Sequence, residues 1–301
     1  MKADVIVNRT SGNGAEPREL EKLAEAFRSK GIDARILAAT SGAKINSLVE
    51  RAANDDAEVV VAAGGDGTVS SVAAAIVDKP KVLGVLPFGT MNHFAKDLLI
   101  PLDFESAIDT IAAGHSTRVD LGEVNGHTFI NNSSLGLYPH IVSERERQQR
   151  LGRGKWPAFV LAALTVLRRY PFLDVHVGVD GTDMNGSTPF IFVGNNQYEM
   201  ETLDIGSRAC IDKGELSLYM TSNIGRLQLL RLALHALIGG LHQEKDFVAM
   251  CTKEVLINTR RRQLPVALDG EVRILRPPLR YRVHPAAIQV LTLPAKNPDE
   301  V

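Results

Sequence analysis

The stretch Ala62 to Ala73 reads AAGGDGTVSSVA and follows the apolar run EVVV at Glu58 to Val61. Glycines that end a buried strand and precede a helix form a strand-to-helix turn, where unpaired amides and the positive dipole end suit phosphate oxygens. Gly64, Gly65 and Gly67 lack a Cβ, so a phosphate can approach the backbone and φ can be positive. Thr68 can cap the helix or donate its hydroxyl to a phosphate. Asp66 repels phosphates unless Mg²⁺ or a transferable proton intervenes, which implies metal coordination or acid/base work. A second turn, LPFGTMNHFAKDL at Leu86 to Leu98, offers Gly89, Thr90 and Asn92 at another helix start. A Walker A pattern is absent, since Gly154-Lys155 is followed by Trp156, and Ser70 breaks the Rossmann fingerprint. Late in the chain Asp269 and Glu271 flank one glycine. On a continuous strand both carboxylates would share a face, and a turn would swing one away. The residues alone read there as an ordinary hairpin turn.

The elements that must position these residues alternate. DVIVN (Asp4 to Asn8), IDARILA (Ile32 to Ala38), EVVVAA and KVLGVLP (Lys81 to Pro87) read as strands. PRELEKLAEAFRSKG, AKINSLVERAAN and VSSVAAAIVD read as helices, the first stopped by Gly31. Apolar strands alternating with helices imply a parallel sheet covered on both faces, with ligands beyond its carboxyl strand ends. After about Arg118 the character changes to the strand-like segments VDLGEVNGHTFINNSS, FLDVHVGVDG, TPFIFVGNN, GELSLYMTS, KEVLINT, QLPVALDGEVRIL and AAIQVLTL, interrupted by two apolar helices and with turns at Asn125-Gly126 and Asp180-Gly181. The expectation is an α/β nucleotide-binding domain over 1–118, rejoined by 286–294, and a mostly antiparallel β-sandwich domain over 119–285.

The 301 residues carry 34 Lys and Arg against 35 Asp and Glu, so nothing global favours nucleic acid. Cys210 and Cys251 are too few for a disulfide framework or zinc motif and read as small core residues of a cytoplasmic protein. The N-terminus does not read as a signal peptide, and the longest apolar stretches are too short or interrupted to span a membrane.

The pairing of GGDGT with P-x-GT-x-N about twenty residues later resembles the diacylglycerol kinase catalytic-domain family of bacterial lipid kinases, sphingosine kinases and ceramide kinases. NRTSGNG from Asn8, Thr40 after the second strand, VDLGEVNGHTFINNSSLG with Asp120, and ALDGE at Ala267 to Glu271 match further segments in order. The resemblance implies transfer of the ATP γ-phosphoryl group to a lipid hydroxyl with Mg²⁺. Asn8, Ser11, Gly12, Thr40, Gly64, Gly65, Asp66, Gly67, Thr68, Gly89, Thr90 and Asn92 would serve ATP. Glu271 and Asp269 would act as general base and its partner, with Asp66 as a rival base. Asp66, Asp120 and Asp212 would be the metal ligands.

Two departures stand out. Ser70 and Ser71 replace the family's Asn-Glu pair, and IDKGEL puts Lys213 where some members place a metal-binding aspartate, so either Lys213 replaces the charge of that structural Mg²⁺, the favoured reading, or Asp212 shifts into the ligand role. Between Glu144 and Arg169 seven Arg and Lys stand against two Glu around an apolar helix, suited to transient docking on an anionic membrane surface at the inner face. A homodimer is compatible with the family. The rivals are an NAD kinase-like nucleotide kinase, which the absence of a later Asn-Glu pair disfavours, and a non-catalytic lipid- or nucleotide-binding protein on the same fold.

Overall fold

The computed structural model of the protein describes residues 1–9, 17–142, 172–198, 212–221 and 247–294. The chain divides into two compact units, one made of Met1–Leu121 with Pro285–Val301, the other of Gly122–His284.

In the first unit the expected alternation is realised. The strands are β1 (Lys2–Asn8), β2 (Asp33–Ala39), β3 (Val59–Gly64) and β4 (Val82–Pro87), in the parallel order β2-β1-β3-β4. All six residues of β3 are buried, as a central strand covered on both faces requires. The helices are α1 (Pro17–Ser29), α2 (Gly42–Asn54), α3 (Asp66–Ile76), α4 (His93–Asp97) and α5 (Phe104–Ala113). Gly31 ends α1 with φ +72°, its N–H donating to Arg28 O while Ile32 N–H donates to Phe27 O. Ser41 caps α2 through Lys44 N–H, and Asp103 caps α5 through Ser106 N–H. One core joins Val5, Val7, Phe27, Val61, Leu86, Ile108 and Ile111 across sheet and helices.

β5 (Ser116–Val124) and β16 (Leu279–Leu291) each run from one unit into the other. Within the first unit, Gln289 and Val290 of β16 pair in parallel with Val82 and Leu83 of β4.

The second unit is a β-sandwich. One sheet orders the first half of β16, β13 (Glu254–Thr259), β8 (Leu173–Val179) and β9 (Thr182–Thr188), all antiparallel. The other orders β12 (Phe247–Thr252), β11 (Leu216–Thr221), β10 (Phe190–Asn195), β7 (Asn132–Gly136), β14 (Leu264–Leu268) and β15 (Glu271–Leu275). The short β6 (His127–Phe129) pairs with β5. Alternate residues of both sheets close one core, among them Leu135, Val177, Val193, Leu218, Ile257, Val266 and Tyr281. Three hairpins turn on two residues of positive φ, the type I′ geometry: Asn125-Gly126, Asp180-Gly181 and Asp269-Gly270.

A polar cluster braces β16 against β5 in this unit. Arg282 donates to both Glu123 oxygens at 3.0 and 3.1 Å, the His284 Nε2 lies 2.8 Å from Oε2, and Gly126 N–H donates to Oε1. Burial alone would raise the Glu123 carboxyl, but the bonds from Arg282, His284 and Gly126 outweigh it and hold it below its ordinary value.

β9 and β12 were not read as strands from sequence, and Cys251 proves exposed on β12 rather than a core residue. The expected apolar helices, the basic run between 144 and 169 and Cys210 lie outside the described residues. Among the described residues no helix is long and apolar enough to cross a membrane.

Candidate active site

Parallel register brings the carboxyl ends of four strands level. Asn8 pairs with Ala39, Val7 with Ala63, and Gly64 with Pro87, so Asn8, Thr40, the Gly64-Gly65 turn and Gly89 stand along one edge of the sheet. The described residues leave out Ser11 and Gly12.

The glycine turn is shorter than the sequence suggests. α3 already begins at Asp66, Gly65 is its N-cap with φ −91°, and no side chain caps it. Thr68 therefore sits in the first helical turn, buried, and its Oγ1 accepts a 3.2 Å bond from Asn8 Nδ2 instead of capping. The start of α3 follows directly on the strand end with no side-chain cap on its first amides, and amides at a helix start are suited to a phosphate.

None of Gly64, Gly65, Gly67 and Gly89 has positive φ; at Gly64, Gly65 and Gly89 the missing Cβ supplies space. A Cβ on Gly89 would lie 2.5 Å from Gly65 Cα and 2.6 Å from Asn92 Oδ1, and one on Gly65 would lie 3.2 Å from Gly89 Cα. The two glycine turns thus touch backbone to backbone, which only glycine allows.

Two side chains fasten this contact. Asn92, at φ +50°, accepts from Gly89 N–H at 3.0 Å and donates to Pro87 O and Gly89 O, so its amide shapes the second turn. Asp66 Oδ1 accepts the Phe94 N–H at 3.1 Å, tying the first turn to α4. Ser71, in the position of the family's acidic residue, donates its hydroxyl to Gly67 O, while Thr90 is exposed beside Gly89.

In the second unit, the late carboxylates separate as a turn requires. Asp269, at φ +46°, folds back so that Oδ2 accepts Ile130 N–H at 2.8 Å and Oδ1 accepts Asn131 N–H at 2.8 Å and Asn132 N–H at 3.1 Å. That carboxylate is a structural clasp between the β14–β15 hairpin and the start of β7. Glu271 opens β15 on the exposed side, and among the described residues no hydrogen bond or ion pair engages its carboxylate. Sequence alone gave no sign of the amides that hold Asp269 and Asp66, because backbone donors carry no residue signature.

The aspartates expected at a metal occupy different settings. Asp120, 1 % exposed on β5, accepts Ala286 N–H at 2.8 Å, holding β16 at a residue with φ +51°. Asp212 is exposed, and the neighbouring Lys213 N–H donates to the buried Asn196 Oδ1. Among the described residues no three His, Cys, Asp or Glu side chains gather as a ligand set.

A parallel sheet with two interlocked glycine turns at its carboxyl edge and, in the second unit, an antiparallel sandwich define an α/β protein with a second β unit. Residues 2–124 match the diacylglycerol kinase catalytic domain, and residues 139–292 match the YegS C-terminal NAD kinase beta sandwich-like domain. The chain belongs to the diacylglycerol kinase catalytic-domain family. It is 28 % identical over 274 residues to a diacylglycerol kinase of Staphylococcus carnosus, covering 90 % of this chain and 88 % of that one. It is 32 % identical over 195 residues to a Staphylococcus aureus diacylglycerol kinase, covering 64 % of this chain and 62 % of that one. The solved structure of a Bacillus anthracis diacylglycerol kinase shares the fold at a TM-score of 0.70 and 20 % identity, over 100 % of this chain and 98 % of that one.

Proposed function

We propose that the chain is an ATP-dependent lipid kinase that transfers the γ-phosphoryl group to a lipid hydroxyl, with diacylglycerol or a related lipid as acceptor. The observation that carries this reading is the contact of the Gly65 and Gly89 turns in a chain of this family. Phosphoryl transfer asks a protein mainly for positioning and charge stabilisation, and amides at the start of α3 suit the ATP phosphates. Mg²⁺ commonly binds through one or two carboxylates plus substrate phosphates. Asp66 fits that chemistry, since Phe94 N–H is bonded to one of its oxygens and the other remains for a cation. When bound, the ion would neutralise charge on the phosphates; Asp120 and Asp212 are further ligand candidates.

Glu271 accepts the proton of the lipid hydroxyl as that oxygen bonds to the γ-phosphorus and the β–γ bridging bond breaks, releasing ADP. Asp269 is a positioning residue, because its bonds to three amides set the hairpin that presents Glu271. The test is transfer from γ-labelled ATP with Mg²⁺ into a panel of lipids in mixed micelles, beside NAD. Labelled lipid supports the proposal. Label in NAD alone points to a nucleotide kinase, and no transfer with ATP binding intact points to a binding protein.

A further inference from the structure

At the opposite end of the β14–β15 hairpin from Glu271, the turn between β13 and β14 carries Arg260, Arg261 and Arg262 in succession. The pair Leu264–Leu275 places Arg276 just beyond the same end. Val266 in β14 pairs with Leu135, one residue before β7 ends at Gly136 and the chain turns into helical residues. The arginine turn therefore stands beside the helical residues 137–142.

Arg260, Arg262 and Arg276 are exposed, and Tyr138 is 45 % exposed at the same end. Burial and then the positive charge of Arg261 push the His140 imidazole below its ordinary value, which agrees with the register in bringing that guanidinium close to this helix. Asp174 lines a hollow of about 550 Å³ with Arg260 and is its acidic neighbour. Elsewhere in this unit Arg282 holds a carboxylate, but among the described residues no carboxylate pairs with Arg260, Arg261, Arg262 or Arg276.

Guanidiniums that no described carboxylate pairs, together with an exposed tyrosine at the same end, match the chemistry of a phospholipid headgroup layer, where phosphates take arginine and amphipathic rings settle. We propose that this end of the second unit docks on an anionic membrane surface. The inference rests on the reading of the chain as a lipid kinase, whose acceptor resides in such a surface.

The test is co-sedimentation of the full chain, without ATP, with phosphatidylcholine vesicles and with vesicles that also contain phosphatidylglycerol. Wild type is expected to bind the anionic vesicles selectively, and more weakly as salt rises. The Arg260→Gln/Arg262→Gln/Arg276→Gln variant should bind roughly a hundredfold more weakly, at about fivefold per arginine, and Tyr138→Ala should also weaken binding. Circular dichroism checks that the variants fold, and phosphoryl transfer in neutral detergent micelles should be unchanged by the triple substitution. Equal binding of wild type and triple variant, equal binding to neutral vesicles, or binding of a nucleic-acid oligomer without vesicle binding would each overturn the proposal. Vesicle binding without transfer to any lipid removes the kinase reading while leaving the docking surface, so the two failures are distinct.

Discussion

Removing the Asp269 carboxylate should cost stability in proportion to the three amides it holds. Ile130, Asn131 and Asn132 donate to it at 2.8, 2.8 and 3.1 Å, and the residue sits at φ +46°. A hydrogen bond to a charged group contributes about 1.5–3 kcal/mol, but the three share one half-buried group and do not add in full. Placing alanine in the left-handed region adds about 1–2 kcal/mol. Asp269→Ala should therefore destabilise by about 3–5 kcal/mol. Asp269→Asn tolerates the same φ and keeps an oxygen for Asn131 and Asn132, so about 1–2 kcal/mol is expected. Glu271→Gln, two residues away and exposed, should stay within about 0.5 kcal/mol of wild type. Urea unfolding at constant slope measures the series, and amide exchange at 130–132 ties the loss to this clasp. If Asp269→Ala lies within about 0.5 kcal/mol of wild type while those amides stay protected, the carboxylate is not structural and the division of roles with Glu271 fails.

Gly89→Ala should lower phosphoryl transfer at least about tenfold and destabilise the first unit by about 1–3 kcal/mol, because its Cβ would meet Gly65 Cα at 2.5 Å; steady-state kinetics and thermal unfolding check this. Gly65→Ala, with 3.2 Å to Gly89 Cα, should be milder. The Glu123 carboxyl is held below its unfolded value, so its stabilising effect is complete above about pH 4.3 and is lost as pH falls through the folded value. Unfolding measured from pH 7 downward should therefore show wild type losing stability more steeply in acid than Glu123→Gln. Tyr281 is buried with its hydroxyl 2.9 Å from Ser133 Oγ, and burial pushes the phenol up despite that bond. Tyr281→Phe should cost about 1–2 kcal/mol in urea unfolding, since the buried Ser133 hydroxyl loses its partner.

The α/β unit was legible because its strands are apolar runs and its helices carry stop signals such as Gly31, patterns fixed by burial on two faces. In the sandwich, Asn125-Gly126 and Asp180-Gly181 announced their turns through the positive φ that type I′ geometry demands. β9 escaped because TDMNGST is polar along nearly its whole length; as an edge strand it needs one partner and little core. The glycine turns are legible, with room for a phosphate and freedom for positive φ as their expected uses; the structure shows no positive φ there and adds a backbone contact that depends on a residue 24 positions away. Likewise Asp269 and Glu271 were legible as a pair, while their separation into a clasp and an exposed carboxylate depends on amides 137 to 139 residues distant.

The most direct test of the account is the rate of label transfer from γ-labelled ATP into diacylglycerol micelles by wild type and by Glu271→Gln, with ATP binding measured on both. The account predicts labelled lipid from wild type and a fall of at least about a hundredfold in the variant with ATP binding retained, as loss of a general base requires. Transfer by Glu271→Gln at the wild-type rate would contradict the role of Glu271, and ATP bound by wild type with no lipid labelled would contradict the kinase itself.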